Sequence, residues 1–185
     1  MLFSFAPWIF FLVIAHNSMF RLKLGIIVAA VLSVVMAVKR LHRGVIMWAS
    51  ILFFLYAIVA VVLLEDMWAV RHMGVLANGA LAVGVWAGIG LKRPFTLEYA
   101  REHTDPYLWE QPSFLRTNYL LTTIWAVVFT INAFLAWQRS NQPVMPNWAY
   151  ETISYSLLVS TMFVSTWYPQ YIKKQREATH IEQAD

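Results

Sequence analysis

Long apolar blocks alternating with short polar stretches make up most of this chain. A helix of about 20 apolar residues crosses the roughly 30 Å hydrocarbon layer of a membrane, so these blocks predict transmembrane helices. We therefore predict an all-α fold, a polytopic membrane helical bundle with six transmembrane helices. The predicted spans are 2–20, 24–38, 45–64, 73–91, 117–137 and 148–168, followed by a cytoplasmic polar tail, 169–185.

The first apolar block is the least regular of the six. Its apolar core ends at Ala15 and meets His16, Asn17 and Ser18. If this block does not cross the membrane, the chain has five spans. The second block has about 15 residues and gives roughly 22 Å of helix, so we expect the two blocks to form a short hairpin that leans on its neighbours.

One long polar segment, 92–118, separates the fourth block from the fifth. Within it, Phe95 and Tyr99 fall on one side of a helix, and Glu98, Arg101 and Glu102 fall largely on the other. This pattern predicts an amphipathic helix along the cytoplasmic membrane interface, within an interfacial segment 92–116.

Three interpretations of this segment remain open. It is a solvated, salt-bridged face, a docking surface for a cytoplasmic or membrane partner, or a phospholipid headgroup site that uses Lys92 and Arg93. The candidate docking or headgroup contacts are Lys92, Arg93, Glu98, Arg101, Glu102 and Arg116.

The distribution of Lys and Arg predicts the orientation of the chain. With six spans, ten of these residues fall on one side and four on the other, and the richer side is expected to be cytoplasmic. Both termini are then cytoplasmic. The ten are Lys39, Arg40, Arg43, Lys92, Arg93, Arg101, Arg116, Lys173, Lys174 and Arg176, and the four are Arg21, Lys23, Arg71 and Arg139.

Composition agrees with a membrane protein. The chain is 59% hydrophobic and 13% charged, whereas soluble domains are about 45–50% apolar and about 25% charged. The net charge of +4 is accounted for by cytoplasmic loops, so we expect no nucleic-acid partner. The chain has no cysteine, which excludes disulfides and cysteine-ligated metals.

Small and amide residues inside the spans predict how the helices meet. Small residues at every fourth position let helix backbones approach closely in lipid, either within one chain or between subunits. Mid-span amides are expected to form hydrogen bonds between helices, because an unpaired amide in hydrocarbon is costly. The candidate packing residues are Gly25, Ala29, Ser33, Asn78, Gly84, Gly88 and Asn132.

The sequence carries no pattern typical of an active site. The zinc-protease, EF-hand, phosphate-loop and dinucleotide-binding patterns are all missing. Glu102, His103 and Asp105 lie close together but match no metal-ligand spacing. We therefore expect no catalytic residue, cofactor or metal site. The spans hold almost no charge, which argues against a proton-coupled carrier but leaves a lipid-handling protein open.

Several short motifs, in their order along the chain, resemble the intracellular septation protein A family of bacterial inner-membrane proteins. The motifs are FAPWIFFL at 5–12, Lys39-Arg40, Glu65-Asp66, Lys92-Arg93-Pro94, and QPSFLRTNYLLTTIWAVVFTINAF at 111–134. The resemblance implies a non-enzymatic protein of the bacterial inner membrane that takes part in septation and cell-envelope processes through its partners.

Three functions are therefore carried forward. The first is a non-enzymatic interaction protein whose contacts are membrane lipid, other membrane proteins or a second copy of itself. The second is a carrier or pore for a small or lipidic molecule. The third is an accessory subunit of a larger membrane complex.

Overall fold

The computed structural model describes residues 5–15, 18–39, 44–102 and 104–182, with the backbone alone over 173–182. Over these ranges the chain is helical, without a strand. The helices are α1 (Ala6–Ile14), α2 (Met19–Val38), α3 (Gly44–Ala57), α4 (Met67–Arg71), α5 (Met73–Gly90), α6 (Phe95–Arg101), α7 (Pro112–Asn141) and α8 (Asn147–Glu182). The expectations for His16, Arg40, Arg43 and His103 concern residues outside the described ranges.

Among the described residues, four helices are long and apolar enough to cross a membrane, and they indicate a membrane protein. They are Met19–Val38, Gly44–Leu63, Met73–Gly90 and Pro112–Asn141. These ranges correspond to the second, third, fourth and fifth predicted spans.

The predicted span 2–20 is not one helix. The structure has a nine-residue helix, α1, and a separate helix that begins at Met19. A new helix starts here because Ser18 caps α2: its hydroxyl accepts a hydrogen bond from the backbone N–H of Arg21 at 3.1 Å. Nine residues give only about 14 Å of helix, too little to cross a membrane. Instead α1 folds back along α2, where an added Cβ at Gly25 would lie 3.1 Å from the Cβ of Ala15.

The last helix is longer than the sequence pattern indicates. We expected it to end before Pro169, but α8 continues through this residue to Glu182. Proline removes one backbone donor and therefore one hydrogen bond to the carbonyl four residues earlier. A long helix tolerates that single loss when its neighbouring turns remain bonded.

The third span changes pitch before it ends. After Ala57 the helix continues as a π-helix, Ile58–Leu63. Glu65 then adopts a positive φ of 52°, and its carboxylate pairs with Lys23 at the start of α2. The hydrogen bond and charge of Lys23 lower the pKa of Glu65. The two residues are 42 positions apart in sequence. Their ion pair joins the start of α2 to the end of the third span.

Aromatic side chains bury α1 against the third span. Trp8 lies 5.0 Å, centroid to centroid, from both Phe53 and Phe54. Its indole N–H donates to the hydroxyl of Ser50 at 2.7 Å, which satisfies the buried donor. The short helix is thus held by packing inside the protein rather than by spanning lipid.

The small residues of α2 and α5 face neighbouring helices of the same chain. Ala29 and Ser33 are buried. A Cβ added at Gly84 would lie 3.1 Å from the Cβ of Ala49, and one at Gly88 would lie 3.0 Å from the carbonyl oxygen of Arg93. These positions allow α5 to approach α3 and the start of the α6 segment closely.

Candidate functional site

The short helix α6 is anchored in the bundle. Phe95, Thr96, Leu97 and Tyr99 are all buried, whereas an interfacial helix would expose one complete face to lipid or water. The sequence pattern identified the Phe95 and Tyr99 side correctly but missed Thr96 and Leu97. The rest of the protein therefore covers a wider face of α6 than the single apolar side that the sequence pattern predicted.

A buried hydroxyl pair joins α6 to α7. The Thr96 hydroxyl donates to the backbone carbonyl of Asn118 at 2.7 Å. It also lies 2.7 Å from the Thr122 hydroxyl, and since Thr96 has one proton to give, Thr122 donates to it. Every proton in this pair is used, which fixes the position of α6 along the first half of α7.

An aromatic cluster holds the same helix from the other side. The Phe95 ring centroid lies 5.9 Å from that of Phe5, 6.4 Å from that of Trp125 and 6.2 Å from that of Tyr99, all in edge-on arrangements. Phe5 also stacks on Trp125 at 5.4 Å. The start of α1 therefore lies at the same end of the bundle as α6.

The charged residues of this segment point away from the bundle. Lys92, Arg93, Arg101, Glu102 and Arg116 are exposed. Arg101 lies over the Trp109 ring, 5.3 Å from its centroid. Within the described ranges none of the five forms an ion pair with another residue. Arg101 lies on α6, Lys92, Arg93 and Glu102 flank it, and Arg116 lies on α7; we call these five residues the α6 surface.

Glu98, the sixth candidate contact, differs from the other five. It is half-buried, and one of its carboxylate oxygens is fully buried without a hydrogen bond. The carboxylate lies against Gly44, where φ is +77° and a Cβ would collide with it. Burial raises the pKa of Glu98; the charges of Arg93 and Arg101 oppose the shift, and Glu102 adds to it. Glu98 therefore belongs to the contact between α6 and α3.

A second cluster of polar residues lies at the opposite end of α7. Arg71 donates through Nε and Nη2 to the carbonyl oxygen of Ser140, at 3.1 and 2.7 Å. Arg139 Nη2 lies 2.9 Å from a Glu151 carboxylate oxygen, and its Nε donates to the Asn147 side chain at 3.1 Å. These bonds close the ends of α5, α7 and α8 around a cavity.

The cavity beside these arginines has a volume of about 540 Å³ and a wall of mixed polar and apolar side chains. Its lining includes Arg71, Asn78, Asn132, Arg139 and Glu151. A smaller chamber of about 200 Å³ adjoins it and is lined by apolar and aromatic side chains of α1, α5, α7 and α8. Leu12, Asn78 and Leu158 line both, so the two spaces are neighbours, and we call them together the crevice, with a polar end and an apolar end.

The two mid-span amides do not form the interhelical bonds that we expected. Asn78 donates to the Gly74 carbonyl of its own helix at 2.9 Å. Asn132 is 2% exposed, and neither its amide nitrogen nor its amide oxygen has a partner. Both line the polar cavity, and neither has a hydrogen bond to another helix among the described residues.

The sequence pattern did not single out Arg71 and Arg139 as site residues. Each lies next to a loop, where a cation is normally explained by membrane topology. A hydrogen bond across 69 positions brings Arg71 to Ser140, and no local spacing indicates such a contact.

The chain matches no protein-family model, no curated protein and no solved structure.

Proposed function

We propose that the protein is a non-enzymatic protein of the bacterial inner membrane that acts in septation or cell-envelope processes by binding a partner protein at the α6 surface. The observation that carries the proposal is the combination of an anchored helix and exposed, unpaired charges. Buried residues and the Thr96–Thr122 pair hold α6 in place, whereas its charged residues form no ion pair in the described part of the chain.

Exposed charges without an ion pair among the described residues are available for contacts with another molecule. Exposed charges add little to the stability of the fold itself, but a rigid array of them sets the orientation and specificity of a partner. Because α6 is already ordered, the binding of a partner does not include the entropy cost of ordering this helix.

The mixed signs of the surface favour a protein over a uniformly anionic lipid layer. The α6 surface carries four exposed cations and one carboxylate, Glu102, and exposed Asp105 and Glu110 follow in the same segment. Anionic headgroups would attract the four cations and repel the three carboxylates. A protein surface can place both signs opposite their complements.

The proposed orientation puts α6 and the C-terminus in the cytoplasm. The excess of Lys and Arg at the α6 end of the bundle supports it. In this proposal α8 forms a further crossing beside α7, so that the crevice opens toward the periplasmic side.

Charge reversal tests the proposed partner surface. In the triple variant Arg93→Glu, Arg101→Glu, Arg116→Glu, we expect chemical cross-linking in cells followed by mass spectrometry to show at least about a tenfold loss of the partner, as for loss of a charged contact. Arg21→Glu is the matched control, since Arg21 is exposed at the start of α2. Equal partner recovery from the wild type and the triple variant, with equal expression, would contradict the proposal. Loss of bound phospholipid alone would also contradict it.

A further inference from the structure

We propose that the crevice between α1, α5, α7 and α8 binds one anionic amphiphile, with a phosphate or carboxylate head beside Arg71 and a hydrocarbon chain in the apolar chamber. The polar end of the crevice lies at the opposite end of α7 from the α6 surface. Thr122 and Arg139 are 17 positions apart on that helix, about 25 Å along its axis. The head site is therefore separate from the partner surface, whereas the chamber reaches Phe5 and Trp125, which also pack against Phe95.

Asn132 is the first reason to infer a ligand. A buried amide without hydrogen bonds is costly, and buried polar groups in folded proteins almost always have partners. Here both the donor and the acceptor of one amide are unused, on the wall of a cavity far larger than a single water molecule. Asn132 and Ser140 are eight positions apart, about 12 Å along α7, so a polar group between the anionic head and the chain, such as an ester, would give this amide a hydrogen-bond partner.

The charges around the polar end determine the sign of the ligand. Arg139 already has a carboxylate partner in Glu151. Arg71 is held in place by a neutral carbonyl, and no carboxylate pairs with it among the residues that the structure describes. The crevice thus has one fixed cation in excess. An oxyanion beside that guanidinium would gain charge-assisted hydrogen bonds.

The second chamber determines the rest of the ligand. Its walls include Trp8, Phe11, Trp125, Phe129 and Met162. Apolar cavities do not hold water well, because a water molecule there finds too few polar partners. A hydrocarbon chain gains contacts with these side chains over its whole length. Since the chamber shares Leu12, Asn78 and Leu158 with the wall of the polar cavity, the inference places one molecule across both spaces.

Photo-cross-linking of the full chain in neutral phosphatidylcholine nanodiscs tests this inference. Three probes carry the same diazirine-labelled chain on different heads, namely a carboxylate, a phosphate monoester and an uncharged glycerol ester. We expect an anionic probe to label the chamber residues of α7 and α8 about ten times more than the neutral probe, as for one charge-assisted contact. The head that labels more strongly distinguishes a fatty acid from a phospholipid-type ligand.

Variants of the polar end make the test specific. Arg71→Gln removes the charge and keeps a donor for the Ser140 carbonyl, and we expect it to reduce anionic labelling about tenfold. Arg71→Lys should restore most of the labelling, and Asn132→Leu should reduce it while the chain stays folded. Arg21→Gln is the control with an equal change of charge and should change nothing.

Three results would overturn the inference. One is equal chamber labelling by the neutral and anionic probes. Another is labelling that is unchanged in both Arg71→Gln and Asn132→Leu. The third is labelling confined to outward-facing residues such as Leu52 and Val83, which would show that the crevice excludes lipid.

Discussion

Phe95→Ala is expected to lower the free energy of unfolding by about 3–5 kcal/mol, the cost of a large-to-small change at a buried aromatic. Phe95 is 1% exposed, and its ring touches α1 and α7 at once. The substitution leaves a cavity between α6, the start of α1 and α7. Relaxation restores the lost contacts only in part, because these three segments would have to move together. Reversible denaturation in detergent, followed by tryptophan fluorescence, measures the change.

Tyr107→Ala is the matched control for this variant. Tyr107 is an aromatic residue of the same polar segment, but it is 74% exposed, so we expect a change within about 0.5 kcal/mol. The Phe95 variant should also become sensitive to proteases between α5 and α7, since α6 loses its anchor. Equal stability of the two variants would show that α6 is not anchored in the bundle.

Asn132→Leu, in contrast to Phe95→Ala, is expected to raise the free energy of unfolding of the lipid-free protein, by about 1–3 kcal/mol. The substitution removes two buried polar atoms that have no partner and puts an apolar group of similar size in their place. Such a substitution, which stabilises the fold while it weakens ligand binding, is typical of a binding residue. The same denaturation assay measures it after exhaustive delipidation.

Asn118→Leu is the control on the same helix. Asn118 is 4% exposed, but its amide nitrogen donates to the Phe114 carbonyl at 2.9 Å. Removing a satisfied amide should leave stability unchanged or lower it slightly. If Asn132→Leu destabilises the delipidated protein as much as Asn118→Leu does, Asn132 is not an unpaired amide.

The positions of the central spans followed directly from the sequence. Four predicted blocks correspond to helices that can cross a membrane, because length and hydropathy are what crossing requires. The exact ends were harder to place. Helix α7 begins at Pro112 and extends to Asn141, beyond the predicted 117–137, since polar residues continue a helix once it leaves the lipid.

The arrangement of α1 and α6 could not be obtained from the same pattern. In lipid, both the outward and the inward faces of a helix are apolar, so hydropathy does not show which side packs against protein. Phe95 and Tyr99 were correctly placed on one face. Burial of Thr96 and Leu97 depends on where α6 meets α7 and on the Thr96 hydrogen bonds, which are tertiary contacts.

The crevice was only partly visible in the sequence. Asn132 was recognised as an amide inside a span, and a partner on another helix was expected because such amides are normally satisfied. The structure leaves it unsatisfied. That difference, together with a cation brought from a distant loop, distinguishes a ligand cavity from ordinary helix packing.

Single-cysteine labelling in whole cells tests the central claim most directly, namely that the α6 surface and the mouth of the crevice lie on opposite sides of the membrane. The chain has no native cysteine, so one cysteine can be placed at exposed Glu102 and another, in a separate variant, at exposed Val144. A thiol reagent that cannot cross the inner membrane should label Val144→Cys in intact cells, and Glu102→Cys only after the inner membrane is opened. Labelling of Glu102→Cys from outside, or of both variants from one side, would contradict the account.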